Sequence, residues 1–389
     1  MKATAHFFER KREWSRLKDE ILETYLAPYL AKITKTRRPV LIVDAFAGKG
    51  RFDDGEPGSP VIIAEAIKKA LDANPSASVS ALFIERKYCE DLARNVAEYR
   101  GCRVLPGTYE EHVRDLTDRI DPNTSLLLFV DPYGIKSLDF AYFRELANLQ
   151  LGSLELILNL NTFGFLREGC RLLSIQGFDC EQDSDVYEDD PDNPIERMHA
   201  IANGTYWQGL LREYHEGRLD MRAAERAFAE EYRGKLHELF RHVVDIPVQY
   251  RRGRLPKYRL VFGTQNPDGL ILMADKMSRV WRDFVSRDRG GQTALFEGID
   301  YPDMETFEAY SLEEDILQLS DAPIDLKDLI VQLLTKYGIT YPVSELKSRI
   351  KTAERSGVLL LERWPPHTPT GRLARSMNYD EYRITVRRG

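Results

Sequence analysis

The chain has 389 residues, of which 43% are hydrophobic and 30% are charged, and its formal net charge is −7. This length suits a large catalytic domain with a smaller second domain, and the composition is that of a globular protein with a hydrophobic core. No apolar run is long enough to cross a membrane and the first residues lack the apolar segment of a secretory signal, so we expect a cytoplasmic protein with no membrane contact.

The cysteines and histidines give no sign of a metal site. The four cysteines are far apart and form no C-x-x-C pair, and the seven histidines show no metal-ligand spacing. We therefore expect neither a disulfide framework nor a bound metal, which fits a reducing compartment.

Residues 6–33 predict one amphipathic helix, because their apolar side chains recur at helical spacing. The opposite face of this helix is basic, with Arg10, Lys11, Arg12, Arg16 and Lys18. Such a face is more often solvated than ligand-binding. We therefore expect a packing helix whose basic side chains face water, with a binding surface as the alternative.

Apolar segments that alternate with helical segments predict a mostly parallel sheet between residues 35 and 285. The predicted strands cover residues 40–43, 79–85, 103–105, 125–130, 154–161, 246–250 and 258–264. The link between the last two strands is too short for a crossover, so they are expected to pair antiparallel. The expected fold is α/β, a Rossmann-like, doubly wound sheet of seven strands in which residues 41–45 and 126–130 are parallel neighbours.

The sequence makes two further predictions within this region: a helical insertion and the start of one helix. Residues 162–240, which include the acidic, turn-rich stretch 180–194, predict a helical insertion at the carboxyl edge of the sheet. Ser59 followed by Pro60 predicts a helix whose N-cap is the serine.

The first predicted strand ends in a glycine-bearing turn, with the sequence LIVDAFAGKG at residues 41–50. Gly48 and Gly50 allow backbone N–H groups to come close to a ligand because glycine has no Cβ. Doubly wound sheets bind ligands at the carboxyl ends of their parallel strands. The turn is therefore a candidate ligand site, although its spacing is not the G-x-G-x-x-G of dinucleotide-binding proteins.

Three predicted strands end in an acid: Asp44, Glu85 and Asp131. The carboxyl ends of neighbouring parallel strands meet at one edge of the sheet, so we expect these acids to surround one crevice. An acid at the end of the second strand can accept hydrogen bonds from ribose hydroxyls, in NAD-binding proteins and methyltransferases alike.

The tetrapeptide Asp131-Pro132-Tyr133-Gly134 favours a methyltransferase over a dehydrogenase. A carboxylate followed by proline and an aromatic ring suits an exocyclic amine, because the carboxylate accepts its N–H groups while the ring stacks on the base. The nitrogen lone pair is then directed at a methyl donor, and the rate comes mainly from positioning. We predict Asp131, Pro132 and Tyr133 as catalytic residues; the alternative is that Asp131-Pro132 only ends a strand and turns the chain.

The C-terminal region predicts a second domain. Helices at residues 324–337 and 343–355, followed by a strand pair around a basic loop, are typical of a winged helix, which we place at residues 311–389 after a first domain of residues 1–310. From Lys336 to the end there are eleven Lys and Arg residues against five Asp and Glu. Winged helices bind either nucleic acids or proteins, and the sequence leaves both open.

Two basic groups are the candidate phosphate contacts if the partner is a nucleic acid, DNA or RNA. One lies between the last two strands of the sheet, near Arg259, and the other in the C-terminal region. The predicted nucleic-acid-binding residues are Arg251, Arg252, Arg254, Lys257, Lys347, Arg349 and Lys351.

A family resemblance runs through residues 6–285. Phe8, Trp14 and Lys18 in the N-terminal helix, then DAFAGKG, then GSP at residues 58–60, then DPYG, resemble in this order the three-Cys-motif partner (TcmP) family. More broadly, the pattern is similar to class I S-adenosylmethionine-dependent methyltransferases. DPYG is closer to the DP-aromatic-G of tRNA guanine-N2 methyltransferases than to the DPPY of adenine methylases.

This resemblance implies S-adenosylmethionine as cofactor, transfer to an exocyclic amine of a nucleic-acid base, and a separate partner protein with a three-cysteine motif. The cofactor-binding residues that it implies are Asp44, Phe46, Ala47, Gly48, Gly50 and Glu85. A non-catalytic, cofactor-binding scaffold for the three-cysteine protein is the alternative.

One position departs from the methyltransferase pattern. Methyltransferases often place an acid after the third strand to hold the adenine amine, but residues 106–109 read PGTY, with Glu110 and Glu111 only nearby.

Overall fold

The computed structural model describes residues 11, 13–132, 134–135, 138–176, 194–249, 255–288 and 311–389. The chain forms two compact units, residues 1–265 and 266–389. The predicted boundary near residue 310 lies next to residues 289–310, which are outside the described part, so the division at 310/311 stays a prediction. Tyr133 and most of the acidic stretch 180–194 are also outside it.

The first unit is built on a seven-stranded sheet whose strand order is β3–β2–β1–β4–β5–β7–β6. Strands β1 to β5 are parallel, whereas β7 runs antiparallel to both β5 and β6. The strands are β1 (Val40–Asp44), β2 (Val79–Glu85), β3 (Cys102–Pro106), β4 (Ser125–Val130), β5 (Ser153–Leu160), β6 (His242–Gln249) and β7 (Pro256–Thr264). The Rossmann-like sheet is confirmed, including the pairing of β1 with β4 and the antiparallel final pair.

Helices connect the parallel strands on both sides of the sheet. They are α1 (Glu13–Ile33), α2 (Ser59–Ala73), α3 (Cys89–Val96), α4 (Tyr109–Arg119) and α5 (Phe140–Asn148). The sequence reading did not predict α4, although its start carries a capping box. Thr108 accepts a hydrogen bond from the Glu111 backbone and the Glu111 side chain accepts one from the Thr108 backbone.

Four helices lie between β5 and β6, in the segment predicted as a helical insertion. They are α6 (Thr162–Leu172), α7 (Ile195–Ala202), α8 (Tyr206–His215) and α9 (Met221–His237). Their shared core is aromatic: the rings of Phe165 and Phe228 stack at 4.4 Å between centroids, and Trp207 packs edge-on against Phe165. Burial of these large rings holds the helices to one another and to the sheet.

The second unit contains helices and a three-stranded antiparallel sheet in the order β8–β10–β9. Its elements are α10 (Pro267–Asp288), α11 (Leu312–Leu319), β8 (Ile324–Asp325), α12 (Leu326–Tyr337), α13 (Val343–Arg355), β9 (Leu359–Trp364) and β10 (Arg383–Arg388). Leu329, Ile330, Ile350, Ile384 and Val386 form its buried core. The predicted helices and strand pair are present, and the assignment to the winged-helix class stays a prediction.

Within the described part of the chain, no helix is both long and apolar enough to cross a membrane. The cysteines described there, Cys89, Cys102 and Cys170, are all free thiols.

Candidate cofactor and substrate site

The turn after β1 is tied to both neighbouring strands. The backbone N–H of Ala45 donates to the carbonyl of Phe129 in β4 at 2.9 Å, and that of Ala47 donates to the carbonyl of Ile84 in β2 at 3.0 Å. Gly48 and Gly50 have φ angles of 64° and 83°. This left-handed conformation favours glycine, so the sequence fixes the path of the turn here.

Asp44 ends β1 with a carboxylate that is fully buried. It accepts hydrogen bonds from the Ser59 hydroxyl at 2.7 Å and from the Phe46 backbone at 3.2 Å. Burial raises its pKa to about 7. Among the described residues it has no ion-pair partner, so the site holds a buried acid with no cation of its own.

The role predicted for Ser59 is wrong. Gly58 is the N-cap of α2, and the hydroxyl of Ser59 donates to Asp44 instead of capping the helix. The physical reason is that a buried carboxylate without a hydrogen-bond donor is costly, whereas the N–H groups at a partly exposed helix start can donate to water instead of to a serine oxygen.

Glu85 connects the end of β2 to the same turn. One carboxylate oxygen accepts the backbone N–H of Gly48 at 2.8 Å, and the other accepts the N–H groups of Lys87 at 2.6 Å and Tyr88 at 3.1 Å. The acid is partly exposed. The structure therefore brings the predicted ribose-binding acid into direct contact with the predicted cofactor turn.

Asp131 follows β4 and is held by two side chains. Lys18 donates to one carboxylate oxygen at 2.5 Å, and the side-chain amide of Asn159 in β5 donates to the other at 2.7 Å. A quarter of the aspartate side chain is exposed. Each oxygen accepts two hydrogen bonds in principle, so the carboxylate can still accept N–H groups of a substrate.

The solvated face predicted for α1 is wrong for two lysines. Lys18 is 6% exposed and lies 5.6 Å from the ring centre of Tyr258, and Lys11 is 7% exposed and pairs with Asp19 at 2.8 Å. Both lysines are buried because a carboxylate compensates the charge of each, Asp131 for Lys18 and Asp19 for Lys11. A sequence signal existed: Lys18 lies three, four and seven residues before the buried Ile21, Leu22 and Tyr25, in line with the apolar stripe.

Asn159 is the other site residue that the sequence reading missed. It is buried at 1% exposure between two leucines of β5. A polar residue between two leucines of a buried strand was the available signal, because burying an amide is costly unless it has a partner. Its amide group has that partner in Asp131, while its own side-chain oxygen is buried without one among the described residues.

The region after β3 has no acid in the position where methyltransferases often hold adenine. Glu111 is used in the capping box of α4, which lowers its pKa through hydrogen bonds from Thr108. Glu110 stays near the site, 3.9 Å from Arg197. The ring of Phe46 lies 6.1 Å from that of Tyr109 and forms an apolar side of the region.

The predicted phosphate contacts divide into several cases. The prediction is wrong for Arg259, which belongs to the basic group between β6 and β7, because its side chain is buried in ion pairs with Glu225 at 2.8 Å and Asp245 at 2.9 Å. Lys257 is also buried, with its ammonium group 5.7 Å from the Tyr258 ring centre. Arg251, Arg252 and Arg254 lie outside the described residues.

The C-terminal candidates already have partners within their own unit. Lys347 lies 4.2 Å from the ring centre of Tyr379, and Arg349 forms ion pairs with Glu313 and Glu345. Lys351 is half-buried. Their role in nucleic-acid binding stays a prediction. In the described ranges no group of His, Cys, Asp and Glu side chains is arranged to hold a metal ion.

No known protein family matches the sequence, and no curated protein is significantly similar to it. Several solved structures match part of this chain. One is a spermidine synthase in complex with the transition-state analogue AdoDATO, with 9% identity and a TM-score of 0.31; the match covers 71% of this chain and 74% of that chain. A second is the O-methyltransferase TomG from Streptomyces achromogenes in complex with SAM, with 13% identity and a TM-score of 0.30; the match covers 68% of this chain and 94% of that chain. A third is spermidine synthase from Thermotoga maritima, with 8% identity and a TM-score of 0.30; the match covers 69% of this chain and 71% of that chain.

TM-scores of 0.30 and 0.31 are too low to support a conclusion about function. The class of protein is defined by the sheet itself: a Rossmann-like, mostly parallel α/β fold with an antiparallel seventh strand.

Proposed function

We propose that this protein is an S-adenosylmethionine-dependent methyltransferase that acts on an exocyclic amine of a nucleic-acid base, and that it belongs to the TcmP family. The observation that carries the proposal is Asp44: a buried carboxylate beside a glycine turn, with a raised pKa and no cation among the described residues. A buried acid without a counter-ion suits a positively charged ligand, because binding supplies the missing charge.

The donor set around the turn fits this cofactor. S-adenosylmethionine supplies a reactive methyl group on a positively charged sulfur, beside a ribose and an amino acid moiety. Asp44, Phe46, Ala47, Gly48 and Gly50 would hold the amino acid moiety. Glu85 would accept a ribose hydroxyl with the lone pair that its three backbone contacts leave free.

Asp131 is the proposed acceptor for the substrate amine. Lys18 and Asn159 each donate to one of its oxygens, which fixes the plane of the carboxylate. An amine whose N–H groups bind this carboxylate has its lone pair turned away from it, which is the orientation that attack on a methyl group requires. Pro132 and Tyr133 are proposed to position and stack the base.

A non-catalytic scaffold for a three-cysteine-motif protein is the second candidate. It is favoured by the capping role of Glu111, which removes one of the two acids near the expected adenine position. Under this proposal the protein binds its partner, and also the cofactor, without transferring a methyl group.

Transfer of labelled methyl groups from S-adenosylmethionine to total nucleic acid distinguishes the two candidates. The wild-type chain is expected to label nucleic acid, and digestion with ribonuclease or deoxyribonuclease identifies which kind. Asp131→Ala should abolish labelling, whereas Asp72→Ala, which removes an exposed acid paired only with Lys68, should have no effect. No labelling, together with co-purification of a three-cysteine-motif protein, would favour the scaffold.

A further inference from the structure

One face of the C-terminal sheet has an unusual set of exposed side chains. Along β9, Leu360, Glu362 and Trp364 point outward, while Leu359 is buried. Along β10, Arg383 and Arg387 are exposed. Alternate residues of a strand share a face, so these side chains form one surface, which we call the Trp364 face.

The pairing register places a cation beside each large apolar side chain of this face. Arg383 is directly opposite Trp364, and Arg387 is directly opposite Leu360. Directly opposite residues in an antiparallel pair have Cβ atoms about 5 Å apart. The indole of Trp364 is 73% exposed, whereas Trp207 and Trp281 are buried.

The cation directly opposite the indole is not neutralised within the described residues. The face has two acids: Glu362, which pairs with Arg387 at 3.2 Å, and Asp325 of β8, which is opposite Thr385. Arg383 has no ion-pair partner among the described residues, and neither have Arg372 and Arg375, which are exposed in the segment between β9 and β10. Arg349 of α13, by contrast, already pairs with two acids, Glu313 and Glu345.

We propose that the Trp364 face binds single-stranded nucleic acid, with a base stacked on the Trp364 indole and phosphates bound by Arg383 and its neighbours. An exposed aromatic ring beside an arginine without an ion-pair partner is a combination with which sheet surfaces bind single strands. A duplex offers its base faces to no side chain, so the site prefers a single strand.

The alternative occupant, a protein, fits less well. Protein-binding patches are contiguous and apolar at their centre. Here the charged Glu362 separates Leu360 from Trp364 along β9, and arginines lie across from both. The inference rests on the proposed function only for the choice of nucleic acid as ligand, and its geometry is independent of the cofactor site.

Binding of a labelled oligothymidylate to the full chain, without cofactor, tests the inference. The fluorescence of Trp364 should be quenched on binding. Trp364→Ala should weaken binding roughly 5- to 100-fold, whereas Trp364→Phe should retain most of it because the ring still stacks. Arg383→Gln should reduce the log–log salt slope by roughly 0.7, the value for one phosphate contact on a single strand.

Arg119→Gln is the matched control, since it removes one exposed positive charge from the other unit and should leave both affinity and slope unchanged. Equal affinity of wild type and Trp364→Ala for the oligonucleotide would overturn the inference. So would self-association that Trp364→Ala abolishes while nucleic-acid binding stays intact, because the face would then be a protein interface. Absence of methyl transfer would leave the inference standing, because no cofactor takes part in this measurement.

Discussion

Asp44 shows how one buried residue can make ligand binding depend on pH. Its pKa is raised to about 7 by burial, and a positively charged ligand binds its ionised form better. Affinity for S-adenosylmethionine should therefore rise roughly tenfold between about pH 6 and pH 8, as the carboxylate loses its proton before binding.

Calorimetric titration at several pH values measures this dependence. Asp44→Asn keeps a hydrogen-bond acceptor for Ser59 but has no charge, so its affinity should be lower and nearly flat over the same range. A wild-type affinity that does not change with pH would remove Asp44 from the cofactor site.

Lys18 is a positioning residue for Asp131 in our account, because it contacts the aspartate and not the reacting atoms. Lys18→Met should lower kcat for methyl transfer by roughly 10- to 100-fold, the usual effect of losing a hydrogen bond to a charged group. Cofactor affinity should stay within about twofold, and Lys18→Arg should restore part of kcat.

Steady-state kinetics with the three proteins measures the effect. If Lys18→Met raised KM for the cofactor and left kcat unchanged, the lysine would belong to cofactor binding instead.

At the scale of single residues, the sequence revealed the acids but not their partners. Asp44, Glu85 and Asp131 could be predicted because each ends an apolar strand, which is a local pattern. Lys18 and Asn159 could not be assigned to Asp131, because they reach it from α1 and β5, and only the folded sheet brings these elements together.

At the scale of elements, α1 is attached to β5 through a buried acid. Tyr25 donates to Glu155 at 2.5 Å, and burial raises the pKa of Glu155 to about 7. The folded state therefore binds this proton more tightly than the unfolded state does. The protonated Glu155 carboxyl therefore contributes to stability at low pH, and this contribution is lost as the pH rises from about 4.5 to about 7.

Glu155→Gln keeps an acceptor for the Tyr25 hydroxyl and removes the ionisation. The variant should be more stable than wild type by about 1–3 kcal/mol at pH 8 and about equal to it at pH 4. Urea unfolding across this range measures the difference, with Glu98→Gln as a control for the loss of one exposed acid. A constant difference at every pH would contradict the assignment.

The helical insertion is joined to the sheet by the charge network of Arg259. This arginine of β7 binds Glu225 of α9 in a bidentate pair and Asp245 of β6 through its remaining nitrogen. Arg259→Met leaves the buried carboxylate of Glu225 without its cation and leaves Asp245 with Arg233 alone, which should cost about 3–5 kcal/mol of stability.

The free energy of unfolding in urea is the measurement. Adding Glu225→Gln to Arg259→Met should recover part of the loss, since the uncompensated charge is then gone, while Asp245 keeps its ion pair with Arg233. A loss below about 1 kcal/mol for Arg259→Met alone would show that water solvates these acids and that the network is not buried in solution.

The elements themselves were largely predictable because periodicity and strand length are local properties of the sequence. The seven strands and the antiparallel final pair follow from apolar runs and short links. The packing of α6 to α9 does not, because their aromatic contacts join residues that are far apart in sequence, such as Phe165 and Phe228.

At the scale of the whole molecule, the chain separates a Rossmann-like unit from a C-terminal unit whose residues 336–389 are net basic. The net charge of −7 hides this separation, because the eleven basic residues from Lys336 onward face only five acids. Cofactor binding is proposed for the first unit and single-strand binding for the second, so substitutions on the Trp364 face should leave affinity for the cofactor unchanged.

The central claim is that the turn at residues 44–50 binds S-adenosylmethionine. Calorimetric titration of the full chain with S-adenosylmethionine and, separately, with NAD tests it most directly. We expect saturable binding of S-adenosylmethionine at one site per chain, weakened by Asp44→Asn, and no binding of NAD. Binding of NAD without binding of S-adenosylmethionine would contradict the claim and would make this site a dehydrogenase-type nucleotide site.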